Sequence, residues 1–142
     1  MSETETGKNI PLYETNTFID KISGETFIII QYNGISIIQK ENDKYVNASK
    51  IGNDNKKQTR KYISSKTFQQ ICDKFKSKYP QIEPYYILRK GYSDSYFGIY
   101  VHPKLIHFIC YWADIDYAFT VAEIMDLINE RNQLTIKISI IQ

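Results

Sequence analysis

The segment "NKKQTRKYI", residues 55–63, sets Lys56, Lys57, Arg60 and Lys61 into six positions with no carboxylate among them. Chemistry of this kind grips anions. Lysine and arginine displace the counterions condensed on nucleic-acid phosphates, arginine pairs with the edge of guanine, and asparagine or glutamine with that of adenine. Asn53, Asn55 and Gln58 stand beside or within the cluster, so both backbone-gripping and base-reading groups are present. Four phosphate contacts would give a salt slope of about −3.6, at roughly −0.9 per contact. A helix face solvated in one sign is the bland alternative. The distribution of charge favours the first reading. Eighteen Lys plus Arg against sixteen Asp plus Glu leave the chain at +2, yet residues 56–90 hold ten basic and two acidic side chains, a net of +8, and the remainder carries −6. A chain so divided has one anion-seeking region.

Other chemistries find little support. His102 and His107 stand five apart where the chain turns helical, so they do not share a face, and no cysteine or carboxylate completes a metal set. Cys72 and Cys110 lie in apolar helical patterns and read as buried free thiols in a reducing compartment. There is no glycine-rich phosphate loop and no serine in a nucleophile motif. Asp114 and Asp116 with His107 would suffice for a metal-dependent nuclease, but a helix cap and its first-turn charge explain both aspartates better. No catalytic residue, cofactor or metal ligand is therefore expected. "MSETETGKNI" lacks the layout of a signal peptide, and no apolar run approaches the roughly 18 residues of a membrane span, so the expectation is a soluble intracellular protein.

The elements that must position the cluster follow from periodicity and turn chemistry. Residues 1–24 are polar without sustained period and read as a loose leader that docks only near Phe18 and Ile19. "FIIIQYNGISIIQ" is a hairpin turning at Asn33 and Gly34. Tyr45 and Val46 are extended, Asn47 caps a short helix through Ile51, and Gly52, Asn53 and Asp54 break it. A second helix starts near Asn55 or Lys56. Ser64 or Ser65 caps a third, with Phe68, Ile71, Cys72, Phe75 and Tyr79 on its buried face. "YYILRK", a turn through "GYSDS", and "YFGIYVH" form a second hairpin, in which tyrosines pair across strands rather than stack on single-stranded bases. Pro103 opens a helix through "KLIHFICYWA", and Asp114 or Asp116 caps a last one ending near Asn129. "LTIKISII" alternates like an edge strand or tail over 133–142. One domain over 25–132 accommodates all but the two ends.

Two phrases carry a resemblance. "DKYVNASKI" (43–51) after a hairpin, then the basic helix, and "GIYVHPKLIHFICYWADIDYAFTVAEIMDLIN" (98–129) resemble the KilA-N domain of large DNA viruses and phages, and more distantly the APSES DNA-binding domain, over about Phe27 to Asn129. The resemblance implies an α+β fold, a small antiparallel sheet packed on helices, with a winged helix-turn-helix. It makes Tyr45 to Ala48 the start of the first helix, Gly52 to Asp54 the turn, Lys56 to Tyr62 the recognition helix, Gly91 to Ser95 with Arg89 and Lys90 the wing, and Trp112 a core residue between helices. The implied partner is double-stranded DNA, and the implied contacts are Lys50, Asn53, Asn55, Lys56, Lys57, Gln58, Thr59, Arg60, Lys61, Arg89, Lys90, Tyr92 and Ser93. The competing expectation is an interaction module of the same fold that meets an acidic partner or packages nucleic acid unspecifically.

Overall fold

The computed structural model describes the backbone of residues 13–141 and the side chains of 13–131. Among these, six strands form one antiparallel sheet: β1 (Glu14–Ile19), β2 (Thr26–Tyr32), β3 (Ile35–Lys40), β4 (Val46–Asn47), β5 (Tyr85–Leu88) and β6 (Gly98–Val101), in the order β1-β2-β3-β4-β6-β5. The helices are α1 (Ala48–Asp54), α2 (Thr59–Ile63), α3 (Lys66–Lys78), α4 (Ile106–Ala113) and α5 (Ile115–Ile141). None is long and apolar enough to cross a membrane among the described residues.

Both expected hairpins form. Asn33 and Gly34 each take positive φ, the pair of angles a two-residue turn between right-twisted strands requires, and set Ile30 opposite Ile37. Because side chains alternate across a strand, the two faces of the sheet carry separate cores. Ile30, Ile37, Val46, Ile99 and Val101 pack with the helices, where Ile51, Phe68, Ile109 and Ile124 are buried. The smaller cluster on the other face is Phe27, Ile38, Tyr45, Leu88 and Tyr100. Ser65 caps α3, its hydroxyl accepting from the Phe68 amide at 3.2 Å, and Asp114 caps α5, accepting from Tyr117 at 3.0 Å. Cys72 and Cys110 are free and buried, and burial pushes their thiols up to about 11 and about 12.

Four expectations need correction. Residues 14–19 are not a loose leader but strand β1, paired with β2 so that Phe18 faces Phe27. All six of its residues are exposed, so no apolar alternation marks it, and backbone pairing to β2 makes the strand. Residues 1–12 lie outside the described residues. The helix expected at Pro103 begins only at Ile106, after a turn closed by the Leu105 amide on the His102 carbonyl. The first helix does not break at Gly52 but continues to Asp54. The expected C-terminal strand is the end of α5, which runs on to Ile141. Leu134, Ile138 and Ile141 also stand at four- and three-residue steps, so the pattern there admits both periods.

The connection from β5 to β6 does not stand off as a free wing tip. It folds back over the smaller core, where Tyr96 stacks on Phe27 at 4.1 Å between centroids. It is anchored to the β1–β2 turn: the Tyr92 hydroxyl donates to Glu25 at 2.5 Å, and the Ser93 amide and hydroxyl donate to Asp20. Buried Lys40 sets its ammonium 2.9 Å from Glu25. Burial alone would raise the Asp20 pKa, but hydrogen bonds from Ser23 and Ser93 outweigh it and hold the carboxyl well below the usual range.

A carboxyl with a depressed folded-state pKa stabilises the fold above its unfolded value of about 4, and that contribution is lost as pH falls through the folded value. Urea unfolding should therefore find Asp20→Asn less stable than wild type at pH 7, with the gap narrowing below about pH 4. A gap that stays constant into strong acid contradicts the assignment.

Candidate nucleic-acid interface

Asn47 joins the helical half of the site to the sheet. Its side-chain oxygen accepts from the Lys50 amide at 3.0 Å and so caps α1, as the sequence leads one to expect. Its nitrogen donates to the Phe97 carbonyl at 3.1 Å and to the Tyr100 hydroxyl at 3.3 Å. Gly98 lies against this amide so closely that a Cβ there would sit 2.5 Å from the Asn47 oxygen. Two residues along, the Ser49 hydroxyl accepts from the Ile99 amide at 3.0 Å. The start of α1 is thereby fixed on β6.

The turn after α1 differs from expectation. Gly52, Asn53 and Asp54 are helical, and the break falls at Asn55 to Gln58. Lys56 carries the left-handed conformation there, φ +59°, which a side chain adopts at a cost and glycine would adopt freely. The Lys57 amide donates back to the Gly52 carbonyl at 2.8 Å. Gly52 is required by proximity: a Cβ would lie 2.0 Å from the Thr59 hydroxyl oxygen. The second helix is consequently only Thr59–Ile63 and carries Arg60 and Lys61, while Asn55, Lys56, Lys57 and Gln58 belong to the turn.

The expected contact residues separate into two groups. Asn53 from α1, Gln58 and Arg60 from the turn and α2, and Arg89 at the exit of β5 line one groove of about 440 Å³. Lys56, Lys61 and Lys90 are exposed. Arg60, Lys61, Arg89 and Lys90 make no ion pair among the described residues. The others hold the frame. Thr59 lines the groove as well, but it is buried and its hydroxyl is already engaged, donating to the Ala48 carbonyl at 3.1 Å. Asn55 donates its side-chain nitrogen to the Ile51 carbonyl at 2.9 Å, and Lys50 pairs with Asp54 at 2.8 Å. Tyr92 and Ser93 face Glu25 and Asp20 rather than the groove. Lys57 turns to α4: its ammonium donates to the Trp112 carbonyl at 2.7 Å and lies 5.5 Å from the indole centroid. That indole is half-buried, packs against the main core and stacks on Tyr62 at 4.9 Å, bracing α2 on α4.

The sequence reading missed Ser49, Ile87 and Phe97, which also line the groove. Alternation along β5 held a signal for Ile87, since Tyr86 and Leu88 face the smaller core and Ile87 must face away from it. No pattern in the sequence marks Ser49 or Phe97.

The architecture is that of a small α+β domain in which two short helices, α1 and α2, and the β5–β6 hairpin border one cationic groove. The chain belongs to the KilA-N domain family, which its residues 30–131 match, and the KilA-N domain is generally a DNA-binding domain. No curated protein and no solved structure matches the chain.

If Asn47 sets the groove, Asn47→Ala should lose the cap, about 1 kcal/mol, and leave the Phe97 carbonyl without its donor, a further 1–3 kcal/mol or so. Asn47→Asp retains the acceptor but sets a buried carboxylate against the Phe97 carbonyl, so at pH 7 it should be no more stable than Asn47→Ala. Urea unfolding of the three proteins checks this. A cost for Asn47→Ala within about 0.5 kcal/mol, the range of surface substitutions, contradicts it.

Proposed function

We propose that the groove between α1–α2 and the β5–β6 hairpin is a duplex-DNA contact surface. Arg60 and Arg89 grip phosphates from two separate elements, the exposed Lys56, Lys61 and Lys90 extend that field, and Asn53 and Gln58 bring amides to base edges. The protein acts without catalysis, as a DNA-binding protein in the gene regulation, replication or genome handling of a large DNA virus or phage. The observation that carries the reading is convergence. Asn53, Gln58 and Arg60 come from one segment and Arg89 from a hairpin about thirty residues on, yet all four line one groove. Membership of a DNA-binding family and the +8 of residues 56–90 support it from independent directions. An acidic protein partner would also meet these cations, but it gives no reason for amide side chains to stand among them.

A fluorescent duplex titrated over a range of salt concentrations tests the reading. Each cation that neutralises a phosphate contributes about 0.9 to the slope of log affinity against log salt. Arg60→Ala with Arg89→Ala should therefore flatten the slope by about 1.8. Lys57→Ala, whose ammonium is engaged by Trp112, should lower the melting temperature while changing the slope much less. Wild-type protein that binds no duplex at low salt, or a slope indifferent to Arg60 and Arg89, refutes the proposal.

A further inference from the structure

The groove is not polar throughout. Ile87 and Phe97 line it and are 55% and 41% exposed. The hairpin's other large side chains are mostly engaged by the protein itself: Tyr86 stacks on Tyr45 at 4.9 Å, Tyr96 on Phe27 at 4.1 Å, and Leu88 and Tyr100 are buried. Nor can Ile87 and Phe97 readily withdraw. Ile87 is fixed in strand register opposite Ile99, and the Phe97 carbonyl is held by buried Asn47. Two large apolar side chains thus stay presented in a groove whose edges are guanidinium and amide.

Duplex DNA offers one apolar group in its major groove, the 5-methyl of thymine. The adenine paired with that thymine presents N7 and N6 to the same groove, the acceptor and donor that an asparagine or glutamine amide matches. Amides at Asn53 and Gln58 and apolar side chains at Ile87 and Phe97 therefore suit one base pair, A·T, read from the major-groove side. We propose that Ile87 and Phe97 are specificity determinants that contact thymine methyl groups, an inference that rests on the duplex-DNA reading above. Isoleucine and phenylalanine also serve elsewhere as wedges pushed between base steps from the minor groove. Here they share their groove with the helix-turn-helix side chains, and a helix-turn-helix reads the major groove.

The test starts from a preferred site selected by the full chain out of a randomised duplex library. That duplex is then compared with one in which deoxyuridine replaces every thymine, which removes the methyl groups and leaves every hydrogen-bonding group in place. Wild type should bind the uracil duplex about fourfold more weakly for each methyl contacted, the factor corresponding to burial of one such group. A variant with Ile87→Ser and Phe97→Ser, its fold verified by circular dichroism, should bind the two duplexes alike and keep the wild-type salt slope. Equal binding of the two duplexes by wild type overturns the inference, as it would for a minor-groove wedge, and so does a variant that still discriminates. A chain that binds no duplex fails earlier, at the DNA reading itself.

Discussion

The arrangement depends on a single buried amide. Asn47 is 2% exposed, and a side chain so placed is tolerated only if its donor and acceptor are both satisfied. Its oxygen caps α1 and its nitrogen holds the Phe97 carbonyl, so the start of α1 and the return strand of the hairpin answer to one residue. Because β4 also pairs with β6, Asn47 standing opposite Tyr100, the backbone repeats the constraint that the side chain imposes. Gly98 makes the approach possible by having no Cβ to collide with the amide. The groove is the space left between two elements so joined.

Around that junction the molecule separates frame from surface. Gly52 against Thr59 brings α2 close to α1, and Lys57 with Tyr62 and Trp112 braces α2 on α4. On the far face of the sheet, Asp20 and Glu25 hold the β5–β6 connection through Ser93 and Tyr92. These contacts use the acidic side chains of the β1–β2 turn and leave Arg60 and Arg89 without a carboxylate among the described residues. Uncompensated guanidiniums in a groove draw anionic ligands, and the field they set up acts at a distance only as far as salt permits.

How much of this was legible varies with the kind of signal. Asn33-Gly34, Ser65 and Asn47 announce themselves, because turn and cap chemistry is local and each residue does what its own side chain dictates. The basic cluster was legible as charge, and family resemblance put it in a helix-turn-helix. What failed was the boundary. Gly52 read as a breaker is in fact the close-packing residue of α1, while the left-handed turn position is occupied by Lys56, a residue with no turn preference to betray it. Strand β1 was illegible for a different reason: an edge strand exposed along its whole length has no apolar period to detect. Thr59, Tyr92 and Ser93 have the composition of contact residues and the positions of framework residues, a distinction made by tertiary partners such as the Ala48 carbonyl, Glu25 and Asp20. Ile87 and Phe97 stayed hidden because an apolar residue in a hairpin is taken for core until its exposure is known.

The central claim is that two elements distant in sequence form one DNA-contacting surface. Amide hydrogen exchange of the whole chain, with and without a duplex, tests it most directly, since it reports every segment at once and needs no substitution. The account predicts that DNA slows exchange in two separate stretches, Asn53 to Lys61 and Ile87 to Phe97, and leaves the outer face of α3 around Lys74 and Lys78 unchanged. Protection confined to one stretch, or centred on α3, would contradict it.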